Sequence, residues 1–187
     1  MGTLLVFILA FCVLVTLGSG LMSAWTDFKG LMISNIYPVL IVAAFLLAWP
    51  AYHFLAPPEA LYFGSLKTHL ISGGLMFVVT FILFSLGWFG AGDSKLASAY
   101  ALWVGMVGMP AFLFYTTLVG GVLGIAALLI KKYKPFKDPA EQSWIAKTQA
   151  GQSAVPYGIA IFFGALVAFI QNGYLSLDRL VGLVSGS

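Results

Sequence analysis

Charge is what this chain has least of. Only 8% of its 187 residues are Asp, Glu, Lys or Arg, while 61% are hydrophobic. Water-soluble domains carry about 25% charged and about 45–50% apolar residues, so the composition excludes a soluble fold and implies an integral membrane protein. Cysteine is nearly absent as well. The lone Cys12 lies inside an apolar run, permits neither an internal disulfide nor a multi-cysteine zinc site, and is read as a packed core residue. There are only two histidines, His53 and His69, and no H-E-x-x-H stands on an apolar run, which removes the common metalloprotease signature. No metal and no cofactor are expected. The net charge of +3 does not indicate nucleic acid, because the lysines crowd into a few connecting loops, as membrane orientation demands.

Long apolar runs are what the chain has in their place. They predict an all-α bundle of about six transmembrane helices, approximately 2–22, 36–56, 70–89, 96–109, 111–130 and 155–171, forming one membrane-embedded domain over 1–187. The first run exceeds the apolar core of a signal peptide, about 7–15 residues, and has no basic residue ahead of it, so it is read as a span. Pro57-Pro58-Glu59 blocks continuation of the second. The run 96–130 would be about 50 Å long as one helix, against a bilayer core of about 30 Å. It must break, and Gly105, Gly108 and Pro110 offer the place. Residues 131–152 are the only sustained polar stretch, and Asp138-Pro139-Ala140-Glu141 reads there as a capping box opening a short surface helix. Trp144 and Ile145 of that helix would rest either in the lipid interface or on the bundle. Gly120-x-x-x-Gly124 reads as a small-residue packing seam, and the Ser185-Gly186-Ser187 end as a remnant without a signal of its own.

With spans in that order the loops alternate in side. Lys29, Lys95, Lys131, Lys132, Lys134, Lys137 and Lys147 fall on one side, against Lys67 and Arg179 on the other. The richer side is expected to be cytoplasmic, with both termini outside. Two acids, Asp27 and Asp93, then share the cytoplasmic interface.

An acid at the edge of hydrocarbon is costly and is by default a functional hypothesis. Asp93 stands behind two spaced glycines in Gly90-Ala91-Gly92-Asp93-Ser94-Lys95-Leu96, where Gly90 and Gly92 allow a sharp turn and the close approach of a second backbone, such as a peptide substrate. Two carboxylates sharing a water could cleave a peptide bond: like charges held close keep one proton between them, the ionised acid activates the water, and the protonated one donates to the carbonyl or the leaving amine. The plainer alternative is that Asp93 caps a helix beginning at Ser94 and Asp27 is a solvated charge near Lys29. A proton- or cation-coupled transporter would use the same two acids at mid-depth, with paths to both sides. Gly151-Gln152-Ser153-Ala154 is a poor imitation of a serine nucleophile site, with no histidine in reach.

The chain resembles the prepilin peptidases, which remove leader peptides from type IV and Flp-type pilins. Gly90 to Leu96 is similar to that family's GxGDxKL motif. Asp27 with Lys29, Ile33 and Asn35 resembles its first motif, DxRxxxIPN, with Lys29 in place of the usual arginine and Ser34 in place of the usual proline. Val155-Pro156-Tyr157-Gly158 followed by Gly164-Ala165-Leu166 resembles its last-span signature. The resemblance implies a multi-pass protein of the bacterial inner membrane with Asp27 and Asp93 as the catalytic pair. It further implies supporting or substrate-binding roles for Gly90, Gly92, Lys95, Lys29, Asn35, Pro156 and Tyr157. The implied partner is a prepilin with a basic leader and an apolar helix, acting beside the lipid bilayer and the pilus assembly machinery. The methyltransferase region of bifunctional members, with its paired cysteines, has no counterpart, so cleavage without N-methylation is expected. A non-catalytic scaffold of pilus assembly is the remaining rival.

Overall fold

A computed structural model describes residues 1–57, 60, 62–153 and 155–185. Among them every regular element is helical: α1 (Gly2–Gly30), α2 (Ile36–Leu55), α3 (Leu66–Ser85), α4 (Ala91–Tyr133), α5 (Trp144–Gln149), α6 (Tyr157–Gln171) and α7 (Leu177–Ser185). The first four are long and apolar enough to cross a membrane, and α6 is a shorter apolar helix of 15 residues. Pro58, Glu59, Ala154 and the last two residues of the Ser185-Gly186-Ser187 end, each part of a sequence signal above, lie outside the described residues.

The expected break in the long run is present, at the first of the three residues offered for it. α4 counts 43 residues, and a straight helix of that length would measure about 64 Å, twice a bilayer core of about 30 Å. It bends at Gly105, which has φ 62° and ψ −177°, leaving a first arm, 91–104, and a second arm, 106–133. Only glycine reaches that backbone region readily, so Gly105 alone makes the break. Pro110 sits within the second arm, and the expected boundary between 109 and 111 is corrected accordingly.

Ending a helix at residue 104 frees its last four carbonyls, an arrangement that hydrocarbon does not tolerate unless donors replace the lost ones. Four side chains supply them. Ser72 Oγ donates to Ala101 O at 2.7 Å, His69 Nδ1 lies 2.8 Å from Leu102 O, Tyr174 OH donates to Trp103 O at 3.0 Å, and Asn172 Nδ2 donates to Val104 O at 2.9 Å. His69 is buried, and its ring serves the bend. His53 stacks on Trp49 with ring centroids 4.9 Å apart.

Packing follows from the bend. The first arm of α4 lies against α3 and α2, the second doubles back along α6, and α1 packs on α2, α6 and α7. Gly20 of α1 admits Tyr100, whose hydroxyl donates to Thr16 O at 2.9 Å, and Trp103 Nε1 donates to Ile41 O at 2.8 Å. The aromatic side chains of Phe45, Phe63, Trp103, Phe169 and Tyr174 fill the core together, and Cys12 is buried among apolar neighbours as expected. Buried tryptophan and tyrosine need a polar partner, and here each has one.

Three other boundaries are corrected. α1 runs eight residues past the expected end at 22, carrying Trp25, Asp27 and Lys29 into its last turns. α3 is shifted toward the N-terminus, covering 66–85 where 70–89 was expected, and α4 starts at Ala91 and not at 96. The surface helix does not open at Asp138: Gln142 has φ 65°, and Ser143 is the N-cap, its Oγ accepting from Ala146 N at 3.2 Å. Trp144 is buried against Phe28, with centroids 5.9 Å apart, so this helix packs on the bundle.

Gly105→Ala is expected to lower the unfolding temperature in detergent, at a cost of about 1–3 kcal/mol from backbone strain. A Cβ at Gly105 would also sit 3.1 Å from His69. Wild-type stability of this variant would contradict the account of the bend.

Candidate active site

Asp27 stands in the last turn of α1. That helix stops when Leu31 turns left-handed (φ 57°) and donates its N–H to Asp27 O at 2.7 Å. The Asp27 side chain is 4% exposed, and its Oδ2 accepts from Gly158 N at 2.7 Å. Gly158 is the second residue of α6, so its N–H has no intrahelical acceptor, and the positive end of the helix faces the carboxylate. A carboxylate on α1 therefore caps a helix 131 residues further along the chain.

Asp93 is in the first turn of α4, three residues after the N-cap Gly90. It is not itself the cap, because the helix begins at Ala91. Its carboxylate turns back onto the Gly90 amide, one half of a capping box. Gly90 has ordinary extended angles, and its value lies in space: a Cβ there would sit 2.5 Å from Asp93 Oδ2. The other oxygen, Oδ1, is buried with no hydrogen-bond partner among the described residues. Next to Asp93, Ser94 Oγ pairs with Thr80 Oγ1 of α3 at 2.8 Å, fixing the rotation of this turn.

Ile33 joins the two halves. In the loop between α1 and α2, it lies where a Cβ on Gly92 would come within 2.9 Å of its own Cβ, and where a Cβ on Gly158 would come within 3.1 Å of its Cδ1. The second backbone that Gly92 admits is thus the chain's own. Through Ile33 the neighbours of Asp93 and of Asp27 meet, and the charge of Asp27 acts on Asp93.

The other residues singled out by sequence divide. Lys95 Nζ donates to Asn35 Oδ1 at 2.8 Å, tying the second motif to the first. Pro156 is the buried N-cap of α6, and the Tyr157 ring lies 5.6 Å from that of Phe89. Lys29 is exposed and lies over the Trp25 ring at 4.6 Å. Lys147 donates to Gly30 O at 2.8 Å, pinning α5 to the end of α1. Ser153 is exposed and accepts from Lys131 at 2.9 Å. Sequence reasoning did not select Gly158 or Ile33 for the site, although both stood inside quoted motifs. Their signal was a small or apolar residue at a motif's centre, which declares no chemistry. No group of three or more His, Cys, Asp or Glu side chains suited to a metal occurs among the described residues.

The model of the type IV leader peptidase family matches residues 8–125, more than half of the chain, and the chain belongs to that family. It is therefore a protease of the prepilin leader peptidase type. The matched stretch contains Asp27 and Asp93 and stops short of α6. No curated protein and no solved structure gives a match.

Gly158→Ala tests the helix-end contact. The added methyl would lie 3.0 Å from Asp27 Oδ2 and must displace it. A contact that tight moves the carboxylate by a few tenths of an ångström, and since about 1 Å of misplacement costs about 100-fold, leader cleavage should fall several-fold. Cleavage at the wild-type rate would show that the contact does not position Asp27.

Proposed function

We propose that this protein is an aspartic endopeptidase that removes the leader of a type IV, Flp-like prepilin at the cytoplasmic face of a bacterial inner membrane, with Asp27 and Asp93 as the catalytic pair. The observation that carries the reading is the meeting of the two acids at one end of the bundle: Asp27 buried on the start of α6, Asp93 beside it with an unpartnered oxygen.

In a site that limits water, two like charges share one proton. The ionised acid takes a proton from the attacking water as its oxygen adds to the scissile carbonyl. The protonated acid donates to the carbonyl oxygen, and the tetrahedral species collapses as the leaving amine is protonated. The bond between carbonyl carbon and amide nitrogen breaks, one water is consumed, and the pair regains its single proton. The amides of Gly158 and Gly90 hold the carboxylates in place throughout. Lys95 with Asn35, and Pro156 with Tyr157, are positioning residues of the two flanks, while Lys29 marks the interface.

Charge supports this choice of membrane side. Lys29, Lys95, Lys131 and Lys147 all belong to the acid end, where their hydrogen-bonded or stacked partners also lie, whereas Lys67 and Arg179 belong to the Gly105 end. That orientation presents the acids to a basic leader in the cytoplasm. It also weighs against an ion relay, which needs acids at mid-depth, because these two stand in a last turn and a first turn.

Purified protein in detergent, mixed with a Flp-like prepilin, should release the leader, and Asp27→Asn and Asp93→Asn should each reduce the rate to background. The wild-type kcat/KM should follow a bell against pH, both limbs belonging to the coupled pair. Full cleavage by either amide variant would reject the assignment.

A further inference from the structure

An apolar cavity of about 360 Å³ lies next to the candidate site, lined by the residues that adjoin Gly90 and Gly158 in sequence. Phe89, beside Gly90, and Tyr157, beside Gly158, stand at its acid end. α3 lines it with Val79 and Leu83, and the second arm of α4 with Leu113 and Thr117. A larger groove of about 820 Å³ lies between α2 and α3, and Lys95, Ser98 and Leu102 of α4 form its floor. Position around α4 decides between them. At about 100° per residue, Ala97, which lines the smaller cavity, is about 40° from Asp93, whereas Lys95, Ser98 and Leu102 are about 140–180° away. The larger groove is behind the acid, and the smaller one is beneath it.

The shape of the smaller cavity also specifies its occupant. The bend at Gly105 splays the two arms of α4, so α3 on the first arm and the second arm on α6 leave a wedge between them. The wedge is walled by stripes at helical spacing: Met76, Val79 and Leu83 on one side, Leu113, Thr117 and Gly121 on the other. Such ridges accept a helix between them. An extended chain would leave its N–H and C=O groups unsatisfied against these apolar walls.

We propose that the apolar helix of the substrate docks laterally in this wedge, between α3 and the second arm of α4, so that the bond at its end lies between Asp27 and Asp93. The proposal rests on the peptidase reading above. A lipid acyl chain is the rival occupant.

Two glycines provide matched probes. Gly121 lines the wedge and Gly74 lines the larger groove, and a Cβ on either meets nothing within 4 Å, so Phe fits at both. Gly121→Phe should lower kcat/KM for the full-length prepilin about tenfold while cutting a soluble peptide of the leader and cleavage site as the wild type does. Gly74→Phe should leave both substrates unaffected. Loss with Gly74→Phe alone, equal loss with both variants, or no loss with either overturns the proposal. Docking is also read without cleavage, by a photo-cross-linker placed in the Asp93→Asn protein. Adducts with the apolar helix of the prepilin are expected from positions 79 and 117 and not from positions 39 and 46. Adducts from 39 and 46 instead, or lipid adducts alone from 79 and 117, overturn it. A wild-type protein that leaves the prepilin uncut would end the peptidase reading, with the cross-links still reporting on docking.

Discussion

Interrupting a helix inside hydrocarbon is acceptable only where every freed carbonyl finds a donor, and the rest of this structure depends on that requirement being met at Gly105. Ala101, Leu102, Trp103 and Val104 would each lose a partner, and Ser72, His69, Tyr174 and Asn172 replace the four. The bend they permit turns a 43-residue helix into two arms. Its first arm brings Asp93 to one end of the bundle, and its second arm supports α6, where Gly164 admits Thr116 and Gly120 admits Tyr157. α6 then offers the Gly158 amide to Asp27. The polar chemistry at one end is thus set by polar satisfaction at the other.

How much of this could be read from the sequence depends on how far apart the interacting residues are. The two acids were legible because a carboxylate beside apolar runs is expensive and needs a reason. The all-helical membrane fold was legible from composition and run length, and the break was legible because no helix of that length fits one bilayer. Its position was not. Gly105 and Pro110 are both helix breakers, and what separates them is donor supply from residues 69, 72, 172 and 174, which no local pattern displays. The end of α1 was misplaced for a related reason: Ser23, Thr26 and Asp27 read as polar residues beyond a span, yet Ser23 and Asp27 are buried inside the helix that faces the site. The box at 138–141 lost to Ser143, since a short cap signature is decided by where the following turn can pack, and Trp144 packs on Phe28.

The glycines of the site share one purpose, seen only in three dimensions. Gly90 leaves room for the Asp93 carboxylate, Gly92 for Ile33, and Gly158 for Asp27 and Ile33 together. Each is a place where a methyl group would push an acid or its support aside. Two carboxylates held close repel, and a soft surround would let them separate. Close contact with backbone replaces that softness with fixed distances, and the Gly158 and Gly90 amides offset part of the cost of burial. In the proposed reaction a pair of acids held this way at helix ends would exchange protons with a water between them, its geometry set by backbone groups, which cannot swing away as side chains do.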